Sequence, residues 1–351
     1  MSCRTKNFEG SSQKALAGLI TALILLWGPS CDKKSPNGPP PVTQWVASNE
    51  GLENLSINCL AVHPDDPNII YAGSFNGLYR STDKAISWTR VDSGWTQREV
   101  TAVAFDPLAG DVVYVGTRGD GVYKSTDGGD HWERKTNGLT DQIVWGLSTD
   151  PSHPDTIFAG MDDGIFRTLD GADSTWTKVY WLQRAFIAVD PRNSNNIFAG
   201  GKFNEVHRSL EGGDNSSWGR SHDGINLGGP ATRIQWIAID PRNPVILYAA
   251  STNNGLHKSI NRAGSWTRMD TGINSSNVRV VVIDPSNSDV LYVAAGNGIY
   301  RSLDAAGSWE EMNEGFSDTN PDVRTVAIDP LDPDRLYAGT WGGGVFIWKE
   351  D

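Results

Sequence analysis

Sulfur, histidine and positive charge are all in short supply in this chain. Its 351 residues include 3 Cys, 4 Met and 6 His, and 30 Lys and Arg stand against 42 Asp and Glu, a formal net charge of −12. Each shortage removes a class of protein. Cys3, Cys31 and Cys59 are too few for a disulfide scaffold or a four-ligand zinc site. The histidines are scattered from His63 to His257, so no metal centre is expected. The acidic balance leaves no basic surface to displace counterions from phosphates, which argues against a nucleic-acid partner. There is no Gly-x-Ser-x-Gly, no Gly-rich phosphate loop and no His-Glu-x-x-His, and no motif calls for a cofactor. The longest apolar run, from Ala15 to about Trp27, is too short for a ~30 Å hydrocarbon core. With 38% hydrophobic and 21% charged residues, the chain is not a disordered polyelectrolyte.

That apolar run follows Arg4, Lys6 and Lys14 and ends in Gly28-Pro29-Ser30-Cys31. Charged start, short apolar middle and small residue make an export signal over 1–30. A small residue before Cys resembles the lipobox of bacterial lipoproteins and implies lipidation of Cys31, although Gly28 stands where that box usually has Leu. Residues 31–43 are polar and Pro-rich and read as an extended tether. The expectation is an exported chain held to a membrane by lipid, facing the periplasm or the cell surface. A cleaved soluble export signal is the alternative.

What the remaining chain has in quantity is glycine and tryptophan, 38 and 14 residues. Both recur with a period. Pro64, Pro107, Pro151, Pro191, Pro241, Pro285 and Pro330 each close an apolar stretch, six of the seven after Asp. About eight residues later comes IIYAG, VVYVG, TIFAG, NIFAG, ILYAA, VLYVA or RLYAG. Then follow GLYR, GVYK, GIFR, EVHR, GLHK, GIYR and, last, GVFIW. Short alternating stretches bounded by Gly, Pro, Asn and Asp are strands. Each unit therefore supplies strands A to D, and four strands per ~44 residues in seven copies is the pattern of a seven-bladed β-propeller. The seventh unit lacks strand D. Residues 44–48 carry the matching Trp45 and are expected to pair with the last strand and close the ring over 44–351, leaving no free sheet edge.

Before each strand-D Trp lies Ser-x-Asp-x-Gly-x-x-Trp or a variant. Ser125-Thr126-Asp127-Gly128-Gly129-Asp130-His131-Trp132 is the fullest copy, and Asp83, Asp170 and Asp304 hold the acid in others. Glu211 and Asn261 replace it in two units. This resembles the Asp-box, or bacterial-neuraminidase repeat, of sialidases, sortilin-type receptors, xyloglucanases and the photosystem II assembly propeller. The resemblance implies the fold, and it implies that these acids are structural. A short Asp side chain accepts turn N–H groups, Gly permits positive φ, and Trp buries a large ring between blades.

The resemblance also implies that ligands bind at the ring end where D–A and B–C connections meet. Arg184, Arg233, Arg279 and Arg324 lie near strand-A starts there, and Trp145, Trp236 and Trp341 fall outside the repeated Trp set. The same connections carry Arg118, Glu99, Asp120, Asp162 and Asp163. The arginines suit an acidic peptide or carboxylated glycan, and the tryptophans suit sugars or a protein anchor. The plain alternative is that Arg and Trp plug a narrow channel. A sialidase would need an Arg-Ile-Pro segment, and the one Arg-Ile, Arg233-Ile234, continues with Gln235. The expected function is non-catalytic binding of a protein partner by a monomeric, envelope-tethered propeller in a scaffold, assembly or receptor-like role. The alternatives are glycan binding and polysaccharide hydrolysis.

Overall fold

The computed structural model describes residues 44–349 except 96, 97, 228, 230 and 317–320. The expected export signal, the expected lipidation site Cys31 and the expected tether lie outside the described residues. The described residues form a seven-bladed β-propeller, seven four-stranded antiparallel sheets each running A-B-C-D from the centre outward. In blade 2 the strands are Val100–Phe105, Val113–Thr117, Gly121–Ser125 and Glu133–Arg134. Each strand A contacts strand A of the next blade, and the last contacts the first, so the A strands ring the axis. Closure is as expected: Val46–Ala47 pairs with Gly344–Lys349 through Val46↔Ile347 and Ala47↔Phe346.

The core is seven wedges, one between each pair of neighbouring blades. The wedge between blades 2 and 3, for example, joins Tyr114 and Val122 to Val144, Ile157, Phe166 and Trp176. The repeated sequence landmarks are mostly the polar bonds that lock these wedges. Asp106 at an A–B turn accepts the backbone N–H of Leu108 at 2.8 Å and of Ala109 at 3.0 Å. In blade 1 His63 Nδ1 takes the same place, accepting from Asp65 and Asp66. The basic residue ending strand C reaches into the next blade's C–D turn: Arg167 donates to the Gly212 carbonyl at 2.8 Å and Lys258 to the Ala305 carbonyl at 2.7 Å.

The Ser-x-Asp turns are hydrogen-bond hubs within one blade. Asp304 accepts from the Ser302 hydroxyl at 2.9 Å and from the Ser308 N–H at 2.9 Å and hydroxyl at 2.8 Å. These donors hold its carboxyl below the usual carboxylate range. Asp83, Asp127 and Asp170 accept from the equivalent Ser or Thr two residues before them. Asn261 does the same with its amide oxygen. In blade 4, Ser209 and Ser217 bond each other directly at 2.6 Å, and the side chain of Glu211 has no part in the hub. Six of the seven strand-D tryptophans donate their indole N–H to the preceding blade, as Trp266 does to the Ser221 carbonyl at 2.7 Å. Trp218 differs, bonding Gly213 in its own blade. Gly138, at φ 88°, abuts the Trp176 carbonyl, where a Cβ would overlap it.

Candidate functional site

Strand A starts where strand B ends, because the two pair antiparallel, as Val100↔Thr117 shows. D–A and B–C connections therefore share one end of the ring, and the A–B and C–D turns occupy the other. At the first end the axis opens into a cavity of about 400 Å³. Its lining includes Arg118, Arg184, Arg233, Arg279, Arg324, Trp145, Trp236, Phe186, Asn58, Glu99 and Gln235. Six of the seven sequence-predicted site residues meet here.

A repeated backbone irregularity aims these side chains. In six blades the A–B register slips by one residue near the start of strand A. The extra residue is Asn58, Thr101, Trp145, Gln235, Arg279 or Arg324, and a bulge of this kind turns a side chain away from the regular pleat. Four of the six stitch the inner ring. Asn58 donates to the Val100 carbonyl, Thr101 to Val144, Gln235 to Val278 and Arg279 to Val323, at 2.7–3.2 Å. Trp145 and Arg324 do otherwise. The Trp145 indole N–H donates to Asp162 at 3.0 Å, and Arg324 pairs with Asp322 at 2.9 Å.

The four arginines expected near strand-A starts occupy different backbone positions. Arg279 and Arg324 occupy bulge positions, and Arg233 lies two residues before its bulge residue, Gln235. Arg184 precedes strand A of blade 4, Phe186–Val189, whose pairing has no register slip. Its φ of 54° is a left-handed conformation that non-glycine residues adopt reluctantly. All four line the one cavity, and Arg118 joins them from a B–C turn. Its only sequence signal was a turn position.

The cations around the cavity outnumber its acids. Arg118 pairs with Glu99 at 3.2 Å and Arg184 with Asp162 at 3.2 Å, and Arg279 and Arg324 share Asp322. Arg233 has no ion pair among the described residues. Among the described residues its guanidinium makes one hydrogen bond, at 3.4 Å to the Gln235 amide oxygen, and its Nε is buried without an acceptor. Burial pulls the Arg233 guanidinium below its ordinary value, and Arg184, Arg118, Arg279 and Arg324 act in the same direction. It stays charged all the same.

Aromatic residues rim this end. Trp236 is 40% exposed and Trp341 44%. Trp341 lies outside the cavity lining and packs edge-on against Phe75 with Arg324 over its face at 4.6 Å. Phe75, Phe203 and Trp181 are also exposed on B–C and D–A connections. Cys59 is half-buried in the cavity wall, where burial pushes its thiol up to about 12. Glu99 is the one carboxylate in the lining. Asp163 is held by Lys178 at 2.9 Å and the Thr140 hydroxyl at 2.6 Å, and Asp120 by Arg98 at 2.7 Å. Among the described residues no group of His, Cys, Asp and Glu is placed to hold a metal ion.

No protein-family model matches the chain, and no curated protein matches it in sequence. Solved structures do match in fold. The GH74 xyloglucanase from Xanthomonas campestris is 18% identical at a TM-score of 0.70, over 89% of this chain and 54% of its own. This chain thus spans about half the length of that enzyme. YCF48 bound to a D1 peptide is 13% identical at a TM-score of 0.65, over 88% of this chain and 96% of its own. The extracellular domain of a hybrid two-component system from B. thetaiotaomicron is 16% identical at a TM-score of 0.63, over 87% of this chain and 41% of its own. At these identities the likeness is one of fold. Function has to be argued from the site.

Proposed function

We propose that this propeller is a non-catalytic binding module that captures a protein partner through the ring end holding the arginine cavity. The observation that carries the reading is Arg233, a cation among four other arginines with no carboxylate of its own. An acidic segment of a partner supplies the missing counter-charge. The exposed aromatics Phe75, Trp181, Phe203, Trp236 and Trp341 lie on connections or strand starts at the same end of the ring, and aromatic residues with Arg are what protein interfaces favour. A propeller of the same fold with a bound peptide, YCF48, agrees with this reading. We further propose, from the sequence pattern around Cys31, that the module works outside the cytoplasm on a lipid anchor, in a scaffold, assembly or receptor-like role. The Ser-x-Asp turns support assignment to the Asp-box propellers, with the box acids serving the turns.

Hydrolysis is less well supported. A glycoside hydrolase of the usual kind sets two carboxyl groups roughly 5–9.5 Å apart across the scissile bond. Here Glu99 lines the cavity alone, and Asp120, Asp162 and Asp163 each lie against a cation. Glycan binding draws on one observation, the exposed indole of Trp236 at the cavity. The test is capture from envelope extract by the full-length chain, identifying proteins and glycans in the eluate. Arg184→Glu with Arg233→Glu should release a stoichiometric protein, and rising salt should weaken capture of it by the wild type. A retained polysaccharide lost on Trp236→Ala, with no protein present, would overturn the reading in favour of glycan capture.

A further inference from the structure

The cavity's arginines fall into two groups. Arg279 and Arg324 face each other across Asp322, Arg279 also donates to the Val323 carbonyl at 2.7 Å, and Arg324 spreads its charge over the Trp341 face. Two guanidiniums share one carboxylate here, and the Arg324 Nε, like that of Arg233, is buried without an acceptor. Arg118, Arg184 and Arg233 instead converge on one indole, with guanidinium carbons 5.2, 5.1 and 5.5 Å from the centre of the Trp145 ring.

Around Trp145 the charges do not balance. Three guanidiniums face two carboxylates, Glu99 on Arg118 and Asp162 on Arg184. Asp162 also anchors the Trp145 N–H at 3.0 Å, so it is fixed in place and does not reach Arg233 as an ion pair. One positive charge is left over, and it is on Arg233. A half-buried cation beside like charges is unfavourable unless a counter-ion completes it. The indole face softens that repulsion but supplies no acceptor to the buried Nε. The surplus is a single charge, and the planar fork of a guanidinium matches a carboxylate through two parallel hydrogen bonds.

We propose that Arg118, Arg184 and Arg233, gathered on Trp145, form a seat for one carboxylate group, so that the cavity receives a single carboxylate of its ligand and not a spread acidic surface. This deepens the reading of the cavity end as a protein-binding face and rests on it for the source of the carboxylate, a chain terminus or an acidic side chain. A uronate sugar offers the same group, and the probes below separate the sources. The cavity volume of about 400 Å³ leaves room for the group and the residue that carries it.

The experiment is calorimetric titration of the full-length protein, with Trp fluorescence as a second readout. The probes are acetyl-tetraalanine with a free C-terminus, the same peptide amidated, acetyl-glutamate amide, glucuronate and inorganic phosphate. One-to-one binding is expected for at least one carboxylate probe, with amidation of the peptide or Arg233→Met weakening it at least ten-fold. The strongest carboxylate probe names the source. Arg233→Met should melt no lower than the wild type, because it removes a repelled cation. Arg118→Met serves as the second variant should Arg233→Met not fold. No one-to-one binding by any carboxylate probe, full binding of the strongest carboxylate probe by Arg233→Met, or phosphate exceeding every carboxylate would each refute the seat, and equal binding of the free and amidated peptides would do so where the free peptide is the strongest probe. The two readings also fail separately. A protein partner still captured by Arg233→Met sinks the seat and leaves the binding face. Carboxylate binding with no protein captured keeps the seat and sinks the protein-partner reading.

Discussion

Trp45 tests the ring closure. It stands just before the two-residue strand that completes the last blade, and it is 1% exposed. Its indole N–H donates to the Met312 carbonyl at 2.6 Å, and its ring stacks on Phe316 at 5.2 Å and tilts against Trp348 at 5.6 Å. Trp45→Ala removes this packing, for which core Trp or Phe to Ala changes suggest 3–5 kcal/mol, and leaves a buried carbonyl without its donor, worth about 1 kcal/mol more. A domain of roughly 300 residues has a melting entropy near 0.6 kcal/mol/K, so the melting temperature should fall by about 6–10 °C. The control is Trp181→Ala, the same chemical change at a residue 64% exposed, which should move the midpoint by about 1 °C or less. Trp45→Phe keeps most of the buried ring but loses the hydrogen bond, and should fall between. The assay is thermal unfolding followed by circular dichroism. If Trp45→Ala and Trp181→Ala melt alike, the closing strand adds no stability and the account of the seventh blade is wrong.

Burial holds the His257 imidazole down from the ordinary 6.5 to about 4, with Arg268 acting in the same direction. The folded state therefore favours the neutral ring. The resulting stability, up to about 3 kcal/mol, is complete above pH 6.5 and is lost as pH falls toward 4. Urea midpoints measured between pH 7 and pH 4 should show this slope, and His257→Leu should flatten it. Gly138 and Gly94 share a left-handed backbone, but a Cβ at Gly138 would overlap the Trp176 carbonyl whereas one at Gly94 meets open space. Gly94→Ala should destabilise by about 1–2 kcal/mol and Gly138→Ala by clearly more, read from denaturant midpoints. The Cys59 thiol, pushed up to about 12, should resist iodoacetamide at pH 8 in the folded protein and react once unfolded, as peptide mapping by mass spectrometry would reveal. Rapid native alkylation would contradict the raised thiol.

Much of the fold was legible in short segments because its bonds are local or exactly repeated in kind. An Asp that accepts the next turn N–H groups, a Ser-x-Asp pair that closes a C–D turn and a Gly at positive φ need only their neighbours, so seven similar segments yield seven similar blades. The match of Trp45 to the other strand-D tryptophans was enough to assign the closing strand. The role of the basic residue ending strand C was not visible in this way, since its acceptor is a carbonyl some 45 residues away in the next blade.

The site divides along the same line. That Arg184, Arg233, Arg279 and Arg324 lie at one end of the ring follows from their places in the repeat. That Arg279 and Arg324 share Asp322, that Arg118 crosses from a B–C turn to Trp145, and that Arg233 is left without a carboxylate follow only from the packed ring. Sequence determines what each blade is, because strands and turns are set by residues in contact along the chain. Tertiary structure decides which charges are neutralised, because ion pairing depends on the tilt of one blade against the next and on one-residue bulges whose side chains no repeat pattern orients.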